Sequence, residues 1–206
     1  IMPSLVGSEM CIRDRHIAME TITRTDRLIL IPLSAANIEE THKVYSDGRI
    51  WSHRPNGRFA DIRTTRAFAQ SSSQSWEAHH FGPWAAYMRH NPSEFVGVGG
   101  AIFVEDGNFW DIKYRLRPAH WGSGFATEIT SATLKSIRQV DPESPITARV
   151  TTNHPAAIRV IEKQGLQQVW EGRRVGTEDN PDEPDVRVYS DRELAPETLK
   201  FIQQRP

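Results

Sequence analysis

The chain has 206 residues, 25 Lys+Arg against 26 Asp+Glu, one Cys, and 38% hydrophobic residues, which suffices for one sizeable core. A net charge of −1 supplies no basic stripe for nucleic acid or an anionic membrane surface, and no apolar run of about 18 residues would span a bilayer. A lone Cys supports neither an internal disulfide framework nor a cysteine-rich zinc site, so a globular protein is expected, cytoplasmic, with no nucleic acid and no membrane as partner.

In chain order, residues 1–18 read as a leader outside the folded domain. Residues 5–14 resemble the translation of a transposon-type sequencing adapter in one frame, which points to an assembly artefact of metagenomic or transcriptomic origin with the native start at Met19. A secretory signal is excluded because Glu9, Arg13, Asp14 and Arg15 interrupt any apolar stretch. The leader is expected to be disordered, so no chemistry is assigned to Cys11. Residues 27–33 (RLILIPL) form a first strand, and Ser34 caps a helix over 35–45. Residues 50–59 are loop. Asp61 caps a helix over Ile62–His79, with Ala67, Phe68 and Trp76 as its inner face. The period then changes: Trp84–Met88, Phe95–Val104 and Phe109–Leu116 read as three strands divided by short polar turns. Helices are predicted over Phe125–Val140 and 156–164, the second stopped by Gly165, with a strand at Ile146–Thr151 between them. Strands over 169–175 and 186–189 flank an acidic loop at 176–185, and a terminal helix occupies 195–204. The order β-α-α-β-β-β-α-β-α-β-β predicts an α/β (α+β mixed) fold: one domain over 19–194, a mixed sheet covered by helices, then a C-terminal helical tail over 195–206.

The chemistry concentrates where a strand gives way to a helix, in Tyr114-Arg115-Leu116-Arg117-Pro118-Ala119-His120-Trp121-Gly122-Ser123-Gly124-Phe125-Ala126-Thr127-Glu128. Helix-start amides are unpaired and carry the positive end of the helix dipole. Gly122 and Gly124 lack Cβ atoms, so an anion can approach the main chain. A purely structural turn would use the same glycines. A P-loop is excluded because its Gly-Lys-Ser/Thr pattern is absent, and a dinucleotide turn would place a third Gly where Thr127 stands.

Residues 111–128, the later stretch 156–166 (AAIRVIEKQGL) and the opening 25–30 (TDRLIL) together resemble the GNAT N-acetyltransferase superfamily, most closely its RimJ/RimL-like ribosomal-protein acetyltransferase branch. The resemblance implies the GNAT (acyl-CoA N-acyltransferase) fold, a mostly antiparallel mixed sheet whose central parallel strands splay. It implies acetyl-CoA as co-substrate and no metal. The diphosphate would sit on Trp121, Gly122, Ser123, Gly124, Phe125 and Ala126, with Thr127 just inside the helix. The pantetheine arm would run along Leu116 and Arg117, with Asn153, His154 and Arg159 flanking it. Trp51, His53 and Arg54 would border the acceptor. His154 stands where the family usually has Asn, and Ile161 replaces the Tyr that protonates the leaving thiolate in other branches, so no general acid is assigned.

The expected product is an acetylated primary amine, on a protein N-terminus or on a small molecule such as an aminoglycoside or polyamine, formed by direct attack because no nucleophilic Cys is present. An α-amine near pKa 8 is about one-tenth neutral at pH 7 and a lysine amine about 1 part in 2,500, a difference of about 3 kcal/mol in favour of the α-amine. The resemblance places the catalytic base at Asp111, with Glu105, Asp106 and His53 in reserve. The competing structural reading pairs Asp111 with Lys113, since alternation sets Asp111, Lys113, Arg115 and Arg117 on one strand face. His79 and His80 have no third ligand at metal-site spacing. The rival function is a non-catalytic acyl-CoA-binding or sensing module, and a monomer or homodimer fits either.

Overall fold

The computed structural model describes residues 21–206; the expected leader, with Met19 and Cys11, lies outside the described residues. Eight strands share one sheet: β1 (Thr23–Arg24), β2 (Leu28–Pro32), β3 (Trp84–Met88), β4 (Phe95–Val104), β5 (Phe109–Leu116), β6 (Ile146–Thr151), β7 (Gln167–Gly172) and β8 (Val186–Ser190), in the order β1-β2-β3-β4-β5-β6-β8-β7. Five α-helices accompany them: α1 (Ile38–Tyr45), α2 (Ile62–His79), α3 (Phe125–Val140), α4 (Pro155–Lys163) and α5 (Pro196–Gln203). Among the described residues no helix is long and apolar enough to cross a membrane.

Local chemistry sets the element ends. Ser34 and Asn37 form a reciprocal capping box at a short 3₁₀ turn that leads into α1. The Asp61 carboxylate accepts from the Arg63 amide and starts α2, which stops at His80 in the left-handed conformation. The inner face of α2 matches the expected one at Phe68 and Trp76, which pack on the core, and differs elsewhere. Thr65, Ala69, Ser72 and Ser75 are buried while Ala67 is exposed, because the Ser72 and Ser75 hydroxyls donate to the Pro83 and Phe81 carbonyls (3.3 and 2.8 Å) and so enter the interior with their polarity satisfied. β7 begins two residues before its expected start and ends at Gly172, after which Arg173 turns to the Thr177 carbonyl.

The largest hydrophobic cluster seats Ile129, Leu134 and Ile137 of α3 and Ile158 and Ile161 of α4 on the sheet, each fully buried side chain contributing about 1.5–3 kcal/mol. Gly99 permits that approach, since a Cβ there would lie 2.3 Å from Ile129 Cγ2. A second cluster packs Val44 and Tyr45 of α1, with Ile50 and Trp51, against Ala85 and Val98. α5 seats Ile202 and Phe201 beside Phe109, so the C-terminal tail covers the start of β5.

Every pairing in the sheet is antiparallel except β5 with β6. That parallel ladder holds only at Trp110↔Ile146 and Asp111↔Thr147. Beyond it β5 stays registered on β4 as far as Leu116, and β6 on β8 as far as Thr151. Each strand follows its antiparallel neighbour, so a wedge-shaped gap opens between them.

Candidate functional site

The gap supplies unpaired main chain. Arg117 donates its amide to the Val96 carbonyl, so alternate residues, Tyr114 and Leu116, turn their main-chain groups toward β6, where the ladder has ended. Their carbonyls accept from the Arg115 guanidinium (2.7 Å) and the Trp121 indole (3.0 Å). Of the two residues expected along the pantetheine arm, Leu116 therefore faces the gap and the Arg117 amide faces β4.

At the mouth of the gap lies the glycine turn. Gly122 and Gly124 hold φ values of +73° and +83°, a conformation that costs a residue with a Cβ about 1–2 kcal/mol. Gly124 is the N-cap of α3 and offers no side-chain cap. The first amide in this stretch with an acceptor is that of Glu128, bonded to the Gly124 carbonyl; among the described residues the amides of Gly122 through Thr127 have none. A Cβ at Gly122 would meet nothing within 4 Å. These bare donors on the positive end of a 16-residue helix suit a diphosphate.

The turn is clamped from the first strand, a role that sequence reasoning missed. Glu128 accepts from the Thr25 hydroxyl (2.6 Å), the Arg27 amide (2.9 Å) and Arg27 Nε (2.7 Å). Arg27 Nη1 donates to the Ser123 carbonyl (2.7 Å), and its guanidinium lies 4.2 Å from the centre of the Phe125 ring. Burial raises the Glu128 pKa, but these donors outweigh it and the net shift is downward. The signal was the Thr25-Asp26-Arg27 spacing, which looked like a strand start alone.

The opposite face of the gap carries side chains. Asp111 is 1% exposed at the vertex, with Oδ2 2.8 Å from Lys113 Nζ and 2.9 Å from Arg205 Nη1. Burial pushes its pKa up, and the two cations more than offset this, leaving it lowered. Lys113 is drawn down to about 8 by burial, with Arg149 and Arg205 adding to the effect. Trp51 is buried, its indole spent on the Tyr45 carbonyl and its ring under the Arg115 guanidinium at 4.5 Å. His53 meets His154 edge-on at 4.4 Å between ring centres, and burial lowers its pKa to about 4, so it is neutral at pH 7. Arg54 reaches Glu183 at 2.7 Å.

The structure thus joins residues expected on two different ligands. Asn153 Nδ2 donates to the His53 carbonyl (3.1 Å), and His154 caps α4 by accepting from the Ala157 amide (3.0 Å), filling structurally the place of the family's Asn. Arg159 stands exposed on α4, away from this cluster. His79 pairs with Glu105 at 2.6 Å.

The family model for the acetyltransferase (GNAT) domain matches residues 27–167. An uncharacterized N-acetyltransferase, YoaA of Bacillus subtilis (strain 168), is 26% identical over 151 residues, covering 73% of this chain and 85% of its own. Among solved structures, RimL, a ribosomal L7/L12 α-N-protein acetyltransferase in complex with coenzyme A, superposes with a TM-score of 0.67 at 15% identity, over 84% of this chain and 98% of that one. Spermidine N-acetyltransferase from Vibrio cholerae, with CoA and spermine, gives 0.63 at 16% identity, over 85% and 99%. These two likenesses show the fold.

Proposed function

The chain belongs to the GNAT acetyltransferase family and is an acetyl-CoA-dependent acyltransferase, and from that premise we propose that it acetylates a primary amine by direct transfer across the β5–β6 gap. One observation carries the reading: the run of amides from Gly122 to Thr127, without acceptors among the described residues, stands at the mouth of a gap where β5 and β6 no longer bond to each other. The amides hold the diphosphate, the Leu116 and Tyr114 edge guides the pantetheine arm, and the acceptor enters from the face lined by Lys113, Arg115 and His53. The amine nitrogen attacks the thioester carbonyl carbon. A C–N bond forms, the C–S bond breaks, the sulfur leaves as thiolate and takes up a proton, and the nitrogen loses one. Holding both reactants in register supplies much of the rate.

Asp111 serves in this reading as the anchor of Lys113 and Arg205, since it is buried and already engaged by two cations. His53 lines the same face, half-buried and with its Nδ1 lacking a partner, and a pKa lowered to about 4 makes it a weak base there. The branch resemblance favours a RimJ/RimL-like protein N-terminus as acceptor, and the small-molecule amine remains the other class. Thiol release from acetyl-CoA against a panel of N-terminal peptides and small amines tests the proposal. Turnover with at least one amine is expected, and acetyl-CoA at about 100 times Kd should add about 2.7 kcal/mol of stability. Binding without turnover on any amine would favour the sensing module instead.

A further inference from the structure

The acceptor face carries more positive charge than its own acids balance. Lys113 and Arg115 of β5, Arg149 of β6, Arg54, Arg174 and Arg205 converge there. Each of Arg115, Arg149 and Arg174 has its pKa lowered by burial first, and by neighbouring arginines after that. Two carboxylates answer these six cations, Asp111 shared by Lys113 and Arg205, and Glu183 shared by Arg54 and Arg174. Arg149 donates to the Pro206 oxygen at 3.0 Å. Counting that oxygen as a full negative charge makes six against three and still leaves three cations over.

Unpartnered polar atoms gather in the same place, the two arginine Nε groups as donors and Asp111 Oδ1 as an acceptor. Among the described residues seven buried side-chain polar atoms lack a hydrogen-bond partner, and five belong to this face: His53 Nδ1, Asp111 Oδ1, Arg115 Nε, Thr151 Oγ1 and Arg174 Nε. Arg174 is 7% exposed, and its Nε lies 3.4 Å from Glu183 without bonding to it. Arg115 has no carboxylate within ion-pair distance among the described residues; it lies over Trp51 and spends Nη1 on the Tyr114 carbonyl. A buried guanidinium with no anion, as at Arg115, or with one shared anion and an unbonded Nε, as at Arg174, is costly, and the cost is recovered when an anion completes it. The diphosphate does not fill this role, because the bare amides from Gly122 onward lie on the turn at the other side of the gap.

We infer that the acceptor amine carries an acid group, a carboxylate or a phosphate close to the nitrogen, which docks on Arg115 and Arg174. The inference rests on the transferase reading and narrows its acceptor. A polycation such as a polyamine or aminoglycoside meets like charge here and is disfavoured. The surplus cations also disfavour the ammonium form of a bound amine, which promotes the neutral nucleophile without a dedicated base.

The test uses matched acceptors that differ only in the acid: β-alanine against its amide, and a peptide with Ser-Asp at its N-terminus against one with Ser-Asn. 2-Aminoethylphosphonate separates phosphate from carboxylate recognition, and spermidine is the cationic arm. Thiol release gives kcat/KM for each, and calorimetry gives Kd for each on the CoA-loaded protein. The acid member of at least one pair is expected to win by about 10- to 100-fold, the value of a charge-assisted hydrogen bond. Arg174→Gln should pull that ratio toward one and Arg174→Lys should restore part of it, with melting curves confirming that both variants fold. Equal use of acid and amide, or preference for spermidine, overturns the inference. If acetyl-CoA binds and no amine is acetylated, the transferase reading fails, and the calorimetric ratio still decides for or against the acid.

Discussion

The two sides of the β5–β6 gap are made of different material. The turn proposed to hold the diphosphate is contiguous main chain, Gly122 to Thr127, stiffened by a helix behind it and by Arg27 and Glu128 beside it. The acceptor face is all side chain, drawn from β5, β6, the α1–α2 loop, the β7–β8 loop and the C-terminal residues. A main-chain site needs only a local conformation, so one stretch of sequence encodes it. A side-chain site needs the whole fold to converge, and it can be rebuilt for a new acceptor without touching the turn.

Substitutions break the two sides differently. The largest effect is expected from Asp111→Asn, which strands Lys113 and Arg205 at the vertex. Removing one partner of a buried ion pair costs about 3–5 kcal/mol, and urea unfolding should show it while the folded fraction keeps acetyl transfer within about tenfold of wild type. A fall in kcat of about 10²–10⁴ at unchanged stability would instead make Asp111 the base. Next comes Gly124→Val on the cofactor side. Forcing a β-branched residue to φ +83° costs about 1–2 kcal/mol, and losing one charge-assisted bond to the diphosphate about 1.5–3 kcal/mol. The strain should appear as lost stability, and the lost bond should weaken acetyl-CoA binding about 10- to 100-fold, read by calorimetry, with the acid preference among acceptors unaltered.

The smallest effect is a pH dependence confined to the acceptor side. The His53 value in the folded protein, about 4, lies below its ordinary 6.5, and burial is the main cause. Between those values the unfolded chain binds the extra proton, so stability is full above about 6.5 and falls as pH drops toward 4. His53→Gln should flatten part of that slope in melting temperature against pH, with His154, also lowered by burial, and the lowered carboxylates such as Glu128 contributing the rest. An unchanged slope in the variant would show that His53 titrates alike in the folded and unfolded chain.

Legibility in the sequence followed the same division. Trp84–Met88, Phe95–Val104, Phe109–Leu116, Phe125–Val140 and Ile146–Thr151 were read with the bounds observed, because strong alternation or a clear helical period runs between turn residues. β1 was missed: two residues at a sheet edge carry no period. The inner face of α2 was read in part, Phe68 and Trp76 correctly, but Ala67 is exposed, and Ser72 and Ser75 escaped notice because they are buried through bonds to carbonyls of the following turn. The Gly122–Gly124 turn was visible as a strand-to-helix turn from its glycines, and its reading as a cofactor site came from the family resemblance of residues 111–128. Arg149, Arg174 and Arg205 could not be found, since no spacing announces residues that meet only after β6, the β7–β8 loop and the C-terminal residues are folded together. Lys113 and Arg115 were visible on one strand face with Asp111, but the lack of anions around Arg115 is a property of the tertiary structure.

Amide hydrogen exchange at Gly122 through Thr127, with and without acetyl-CoA, tests the central claim most directly. Having no acceptor among the described residues, these amides should exchange close to intrinsic rates in the free form and slow by about tenfold or more when the diphosphate engages them. Unchanged exchange across the turn in protein saturated with acetyl-CoA would contradict the account.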